Sequence, residues 1–113
     1  MAETKQYLNR PSEKDGIMIS EDVIATIVTY AVSEVEGVAG LTGATLKNRG
    51  KSIRISISQD DSLSIECNII VYYGQSVFEA AKAVQAAIDN AVQAMTGVTA
   101  EAIHVNVTGI IRK

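Results

Sequence analysis

Five places in the 113-residue sequence hold side chains whose types could do chemistry. His104 is the single histidine, Cys67 the single cysteine, and Asp60-Asp61 an adjacent acid pair. Gly50-Lys51-Ser52 matches the end of a phosphate-binding loop, and Lys47, Arg49, Lys51 and Arg54 form a basic cluster with no acid between Gly37 and Arg54. A metal centre needs several converging ligands, and no second histidine accompanies His104. General-base work by His104 would require a pocket and a positioned nucleophile. The nearby serines of 52–58 alternate simply because one face of a strand is polar, so His104 reads as a surface histidine.

The phosphate-loop match fails on two counts. Thr45 stands where the motif's leading glycine belongs, and the residues after Ser52 alternate as a strand, whereas the motif needs a helix N-terminus there to meet the phosphate. Gly40-Leu41-Thr42-Gly43 has the form of the GXXG loop of RNA-binding KH domains, but that loop joins two helices and this one joins a helix to a strand. The basic cluster therefore reads first as a solvated loop and second as a patch for an anionic partner. Asp60 and Asp61 lack the further oxygen ligands that calcium requires and read as turn residues. Cys67, at an inward position beside Ile65 and Ile69, reads as a buried structural thiol. No catalytic residue, metal ligand or cofactor is expected.

The elements that position these residues follow from periodicity. Residues 1–15 show none and predict a flexible tail, with one domain over 16–113. Ile17-Met18-Ile19 is a short apolar run, and Ser20 then caps a helix with Glu21 and Asp22 in its first turn. Val23, Ile24, Ile27, Val28, Ala31, Val32 and Val35 keep helical spacing up to Gly37. The stretch 37–50 reads as a glycine-rich loop. Alternation over 52–58 and again over 63–73 predicts an antiparallel hairpin. Ser76-Val77-Phe78-Glu79 is a capping box opening a second helix, with Val77, Phe78, Val84, Ile88, Val92 and Met95 among its buried stripe and Gly97 at its end. A last strand puts Ile103, Val105, Val107 and Ile111 inward, and His104 and Asn106 outward.

The order β(short)-α-β-β-α-β predicts an α+β two-layer sandwich, with both helices on one face of a mainly antiparallel sheet of three or four strands. A ferredoxin-like arrangement is the first topology. Alternation sets Ile70, Tyr72 and Ile110 on the outer face, near His104 and Arg54. That face and the basic loop make up the candidate interaction surface: Lys47, Arg49, Lys51, Arg54, Ile70, Tyr72, His104 and Ile110.

Composition narrows the function classes. The chain is 47% hydrophobic but only 4% aromatic, so its core must be built from Ile, Val, Leu and Ala. A net charge of −3 and a pI near 5.0 give no general attraction to nucleic acid or anionic lipid. One cysteine excludes an internal disulfide and favours a reducing compartment. No apolar run approaches the length of a membrane span, so direct insertion is not expected.

Ordered segments along 17–111 resemble the alkaline-shock family of bacterial envelope-stress proteins. They are Ile19-Ser20-Glu21-Asp22-Val23-Ile24-Ala25 through Glu34-Val35-Glu36-Gly37-Val38, then Val71-Tyr72-Tyr73-Gly74, Val84-Gln85 and Met95-Thr96-Gly97-Val98, and finally His104-Val105-Asn106-Val107-Thr108-Gly109-Ile110. The resemblance implies a cytoplasmic, non-enzymatic protein of Gram-positive-type bacteria that supports envelope homeostasis. It also implies recruitment to the membrane by an anchored protein partner. The first functional reading is an interaction module that works by protein contacts, self-association among them. The alternatives are an accessory subunit of a lipid or fatty-acid metabolic enzyme, and an RNA-binding module using the 37–54 loop. The family offers no catalytic residues to carry over.

Overall fold

The computed structural model describes residues 7–9, 18–42, 52–58 and 62–112. Strand β1 is Tyr7–Asn9 and β2 is Met18–Ser20; helix α1 is Glu21–Ser33; β3 is Val38–Leu41, β4 Ile53–Ile57 and β5 Leu63–Tyr72; helix α2 is Val77–Thr96; β6 is Ala102–Ile111. The α+β class and the layering of both helices on one side of a mainly antiparallel sheet agree with the periodicity.

Strand β5 is the spine of the sheet. Its first half pairs antiparallel with β4, Ile53 opposite Cys67 through Ile57 opposite Leu63. Its second half pairs antiparallel with β3, Leu41 opposite Ile69 and Val38 opposite Val71. Strand β6 runs parallel to β5 along nearly its whole length. A strand has two hydrogen-bonding sides and β6 fills one, so β3 and β4 lie end to end on the other. The four strands thus make a sheet three strands wide. The connection from β5 through α2 to β6 is a βαβ crossover, which places α2 over the sheet.

Two expectations need correction. The short strand 18–20 does not join this sheet; it pairs antiparallel with Tyr7–Asn9, inside the segment read as a flexible tail. Three apolar-polar residues flanked by charges carry no periodic signal, so only the partner strand reveals them. The fold is accordingly a ferredoxin-like layer pair whose first strand has left the main sheet, and β5 and β6 become direct neighbours. Second, the supposed loop after Gly37 begins with β3. Its register shifts between Val38 and Gly40, and Gly40 takes φ +144°, a backbone conformation that glycine adopts at no steric cost.

Capping explains where the helices begin and end. Ser76 accepts from the Glu79 N–H at 3.3 Å, as a capping box requires, and Gly97 ends α2 in the left-handed region at φ +76°. Ser20 has the extended backbone of an N-cap, yet its side chain makes no capping bond. Helix α1 stops at Ser33, its last turn tightened by Glu34 and Val35 N–H bonds to the Ala31 and Val32 carbonyls.

The core lies between helices and sheet. Ile24, Val28, Leu63, Ile65, Ile69 and Ile88 are wholly buried, and each such side chain stabilises the fold by about 1.5–3 kcal/mol. The buried stripe of α2 is Ala80, Val84, Ile88, Val92 and Thr96, a strict every-fourth spacing. At about 100° per residue, Phe78 and Met95 fall away from that line, and they are 71% and 69% exposed rather than buried. Lys82 Nζ instead sits 5.2 Å from the Phe78 ring.

Candidate functional site

The face of the sheet away from the helices has no described element packed on it, and its side chains are set by the register of three strands. Arg54 of β4 lies opposite Glu66 of β5, which lies opposite His104 of β6. One turn of the pleat further on, Asn68 lies opposite Asn106. The Asn106 amide donates to Glu66 Oε2 at 2.9 Å and to Asn68 Oδ1 at 3.0 Å. These bonds lock three side chains into a polar ladder across two strands, with Arg54 exposed at one end.

The ladder gives way to an apolar end. The hydroxyls of Thr42 and Thr108 hydrogen-bond each other, and Thr108 Oγ1 also donates to the Ile69 carbonyl at 3.3 Å. Here the β5–β6 register shifts: Ile69 faces Val107, but Ile70 faces Gly109. Strand β6 therefore carries one extra residue, and its alternation inverts beyond it. Ile111 comes to lie opposite Tyr72, on the outer face, while Ile110 lies opposite Val71, on the helix side. The expectation that Ile110 joins Ile70 and Tyr72 is thus corrected: Ile111 takes that place, because a bulge moved every later side chain to the other face. A glycine inside a strand is the one sequence signal that could have warned of it. Gly109 also leaves Ile70 uncovered, since a Cβ there would stand 3.6 Å from Ile70 Cγ1.

Beyond Tyr72, an open depression of ≈ 490 Å³ lies between the α1–β3 turn and the end of β5. Glu34 and Glu36 line one side, Tyr72, Tyr73 and Gln75 the other. Arg112 already stacks on Tyr73, its Cζ 5.6 Å from the ring centroid.

The structure thus brings Arg54, His104, Ile70 and Tyr72 onto one face, and sets Ile110 on the other. Lys47, Arg49, Lys51, Asp60 and Asp61 lie outside the described residues. Arg54 is described, on β4 opposite Glu66. Cys67 sits on the helix side with no exposed surface. Burial, with the neighbouring Glu66 charge adding to it, pushes its thiol up to about 11, so it stays protonated and unreactive near neutrality. Among the described residues no group of three or more His, Cys, Asp or Glu side chains could hold a metal ion, and no helix is long and apolar enough to cross a membrane. The face presents hydrogen-bonding groups in fixed rows beside a small apolar patch.

Comparison with known proteins places the chain among relatives. It is 30% identical over 103 residues to the uncharacterized protein YqhY of Bacillus subtilis (strain 168), covering 83% of this chain and 76% of that one. It is 28% identical over 109 residues to the uncharacterized protein Spy1614 of Streptococcus pyogenes serotype M6, covering 86% of this chain and 89% of that one. Among solved structures, MamM-CTD superposes with a TM-score of 0.60 at 20% identity, covering 79% of this chain and 98% of that one. That likeness is one of fold. The alkaline-shock resemblance carried by the sequence segments has a direct counterpart in the family model, which matches residues 9–112. The chain belongs to the ASP23 family of alkaline-shock proteins, a family described by a cell envelope-related function.

Proposed function

We propose that this protein is a non-enzymatic interaction module of the cell envelope, held on the cytoplasmic side of the membrane by a protein partner that docks on the outer face of its sheet. The observation that carries this reading is the outer face itself, on which no described element packs. Its Glu66–Asn68–Asn106 ladder is fixed before any partner arrives, which spares the ordering cost that a mobile surface would add to binding. Beside the ladder, Ile70, Tyr72 and Ile111 supply apolar area of the kind that anchors an interface. The family's envelope description supplies the setting. No described helix is long and apolar enough to cross a bilayer, and this reading assigns the hold on the membrane to the partner.

The test is fractionation of cells of the source organism that produce the tagged protein. The expected result is membrane association of the wild type, lost from a Tyr72→Ser, Ile70→Ser double variant that keeps its fold. Purified protein is expected to ignore protein-free liposomes. Association with bare liposomes, or an unchanged distribution of the double variant, would overturn the reading.

A further inference from the structure

Strand β6 is ten residues long and, among the described strands, pairs only with β5. Among the described residues its other side is an open edge, and an open edge is a template for a further strand. Which backbone groups line it follows from two hydrogen bonds. Tyr73 N–H donates to the Ile111 carbonyl at 2.7 Å, so Ile111 faces β5 and Ile110 faces away. The extra residue at Thr108 inverts this order, which turns Ile103, Val105 and Val107 outward before it. In agreement, the Ile103 carbonyl is taken by a side chain, the Gln85 amide of α2, at 2.9 Å.

We propose that this edge is a self-association surface, on which two copies of the chain pair β6 with β6, antiparallel, about a two-fold axis at Asn106. Three observations select a second copy in that orientation. The strand between Glu101 and Arg112 holds no Asp, Glu, Lys or Arg, so self-pairing sets no like charges face to face. Glu101 and Arg112 flank it with opposite signs; antiparallel pairing brings the foot of one strand to the head of the other, whereas parallel pairing would stack like on like. The apolar row Ile103, Val105 and Val107 packs against the core yet stays only partly buried, because the sheet ends there. The same row of a second copy would continue the layer and cover it.

The Asn106 register also fits the two irregularities. Val105 and Val107 become hydrogen-bonded pairs with Val107 and Val105 of the second copy, which uses the regular, outward-facing backbone. The Ile103 carbonyl, already satisfied by Gln85, falls opposite Gly109 of the second copy, beyond the bulge, where no bond is asked of it. The result is one sheet twice as wide with all helices on the same face. The outer face remains open, so this interface does not compete with the partner surface proposed above and does not depend on it.

The test is an Asn106→Cys variant of the full chain. Asn106 would meet its own counterpart in a non-hydrogen-bonded antiparallel pair, about 4.5 Å between Cα atoms, within the range a disulfide spans. With copper–phenanthroline as oxidant, a covalent dimer reversible by dithiothreitol is expected. A Ser56→Cys control, exposed on β4 at the far side of the sheet, is expected to form no covalent dimer; the native thiol, buried and protonated, stays silent in both. Sedimentation of the wild type is expected to show a dimer, and Val105→Pro, which removes an outward N–H, to shift it to monomer with its helical circular dichroism retained. Should Val105→Pro fail to fold, the contrast between the two cysteine variants decides alone. A wild type that sediments as a monomer at every concentration, or equal cross-linking at positions 106 and 56, would overturn the proposal.

Discussion

Ile111 stands opposite Tyr72 across the β5–β6 pair, and Ile110, one residue earlier, stands opposite Val71. The two isoleucines are similarly exposed, at 46% and 53%, but they belong to opposite faces of the sheet. Exposure alone would not tell them apart; the register does. Ile111→Ser is therefore expected to weaken membrane association of the protein, and Ile110→Ser to leave it near the wild-type level. Cell fractionation of the two variants side by side checks this. Equal losses would mean that the apolar end of the outer face is not the docking surface.

That same pair shows where the sequence could and could not be read. The helices were legible because Ser76 and Glu79, and then Gly97, are local signals that no distant contact needs to complete. The β4–β5 hairpin was legible because each strand alternates on its own. The outer-face row of Arg54, Glu66 and His104 followed from that alternation once the strands were side by side. Thr108 and Gly109 fit the alternating pattern as written, so the extra residue is visible only against β5. Val38-Ala39-Gly40-Leu41 has no alternation to detect. It becomes a strand because β5 offers it partners, with Tyr72 N–H donating to the Gly37 carbonyl at 2.9 Å and Thr42 N–H to the Asn68 carbonyl at 2.8 Å. Local chemistry is written in the sequence; register is a property of two strands at once.

The two helix-opening serines should behave differently. Ser76 accepts a hydrogen bond from the Glu79 N–H, and Ser20 makes no capping bond. Ser76→Ala is expected to cost about 1 kcal/mol, the usual loss for an N-cap side chain, with Ser20→Ala costing clearly less. Urea denaturation of both variants measures it through the midpoint at unchanged slope. A larger loss at Ser20 would contradict the capping geometry.

Ile65 lies in the middle of β5 with no exposed surface, between Ile55 on one side and Ile103 on the other. Ile65→Ala removes the side chain at the point where sheet and helices meet. An expected loss of about 2–5 kcal/mol follows from the lost burial plus the cavity left behind. Ile57→Ala, near the edge of the core and only partly buried, should cost less. Thermal or urea unfolding compares them, and the reverse order would show that the core is centred elsewhere.

Cys67 gives a pH dependence whose sign is fixed by its burial. The thiol is raised from 9.0 to about 11, by desolvation first and by the Glu66 charge second. Between those values the unfolded chain releases the proton and the folded chain keeps it. The folded state then binds more protons, so stability falls as pH rises. The contribution is fully present below pH 9.0 and is lost as pH climbs toward 11. Other groups also titrate in that range, so the variant Cys67→Ala isolates the effect. The stability difference between wild type and Cys67→Ala is expected to stay constant below pH 9.0 and to move against the wild type above it. Urea unfolding of both proteins along the pH series reads this difference. A gap that stays flat up to pH 11 would place the thiol in contact with water, and with it β5 out of the centre of the core.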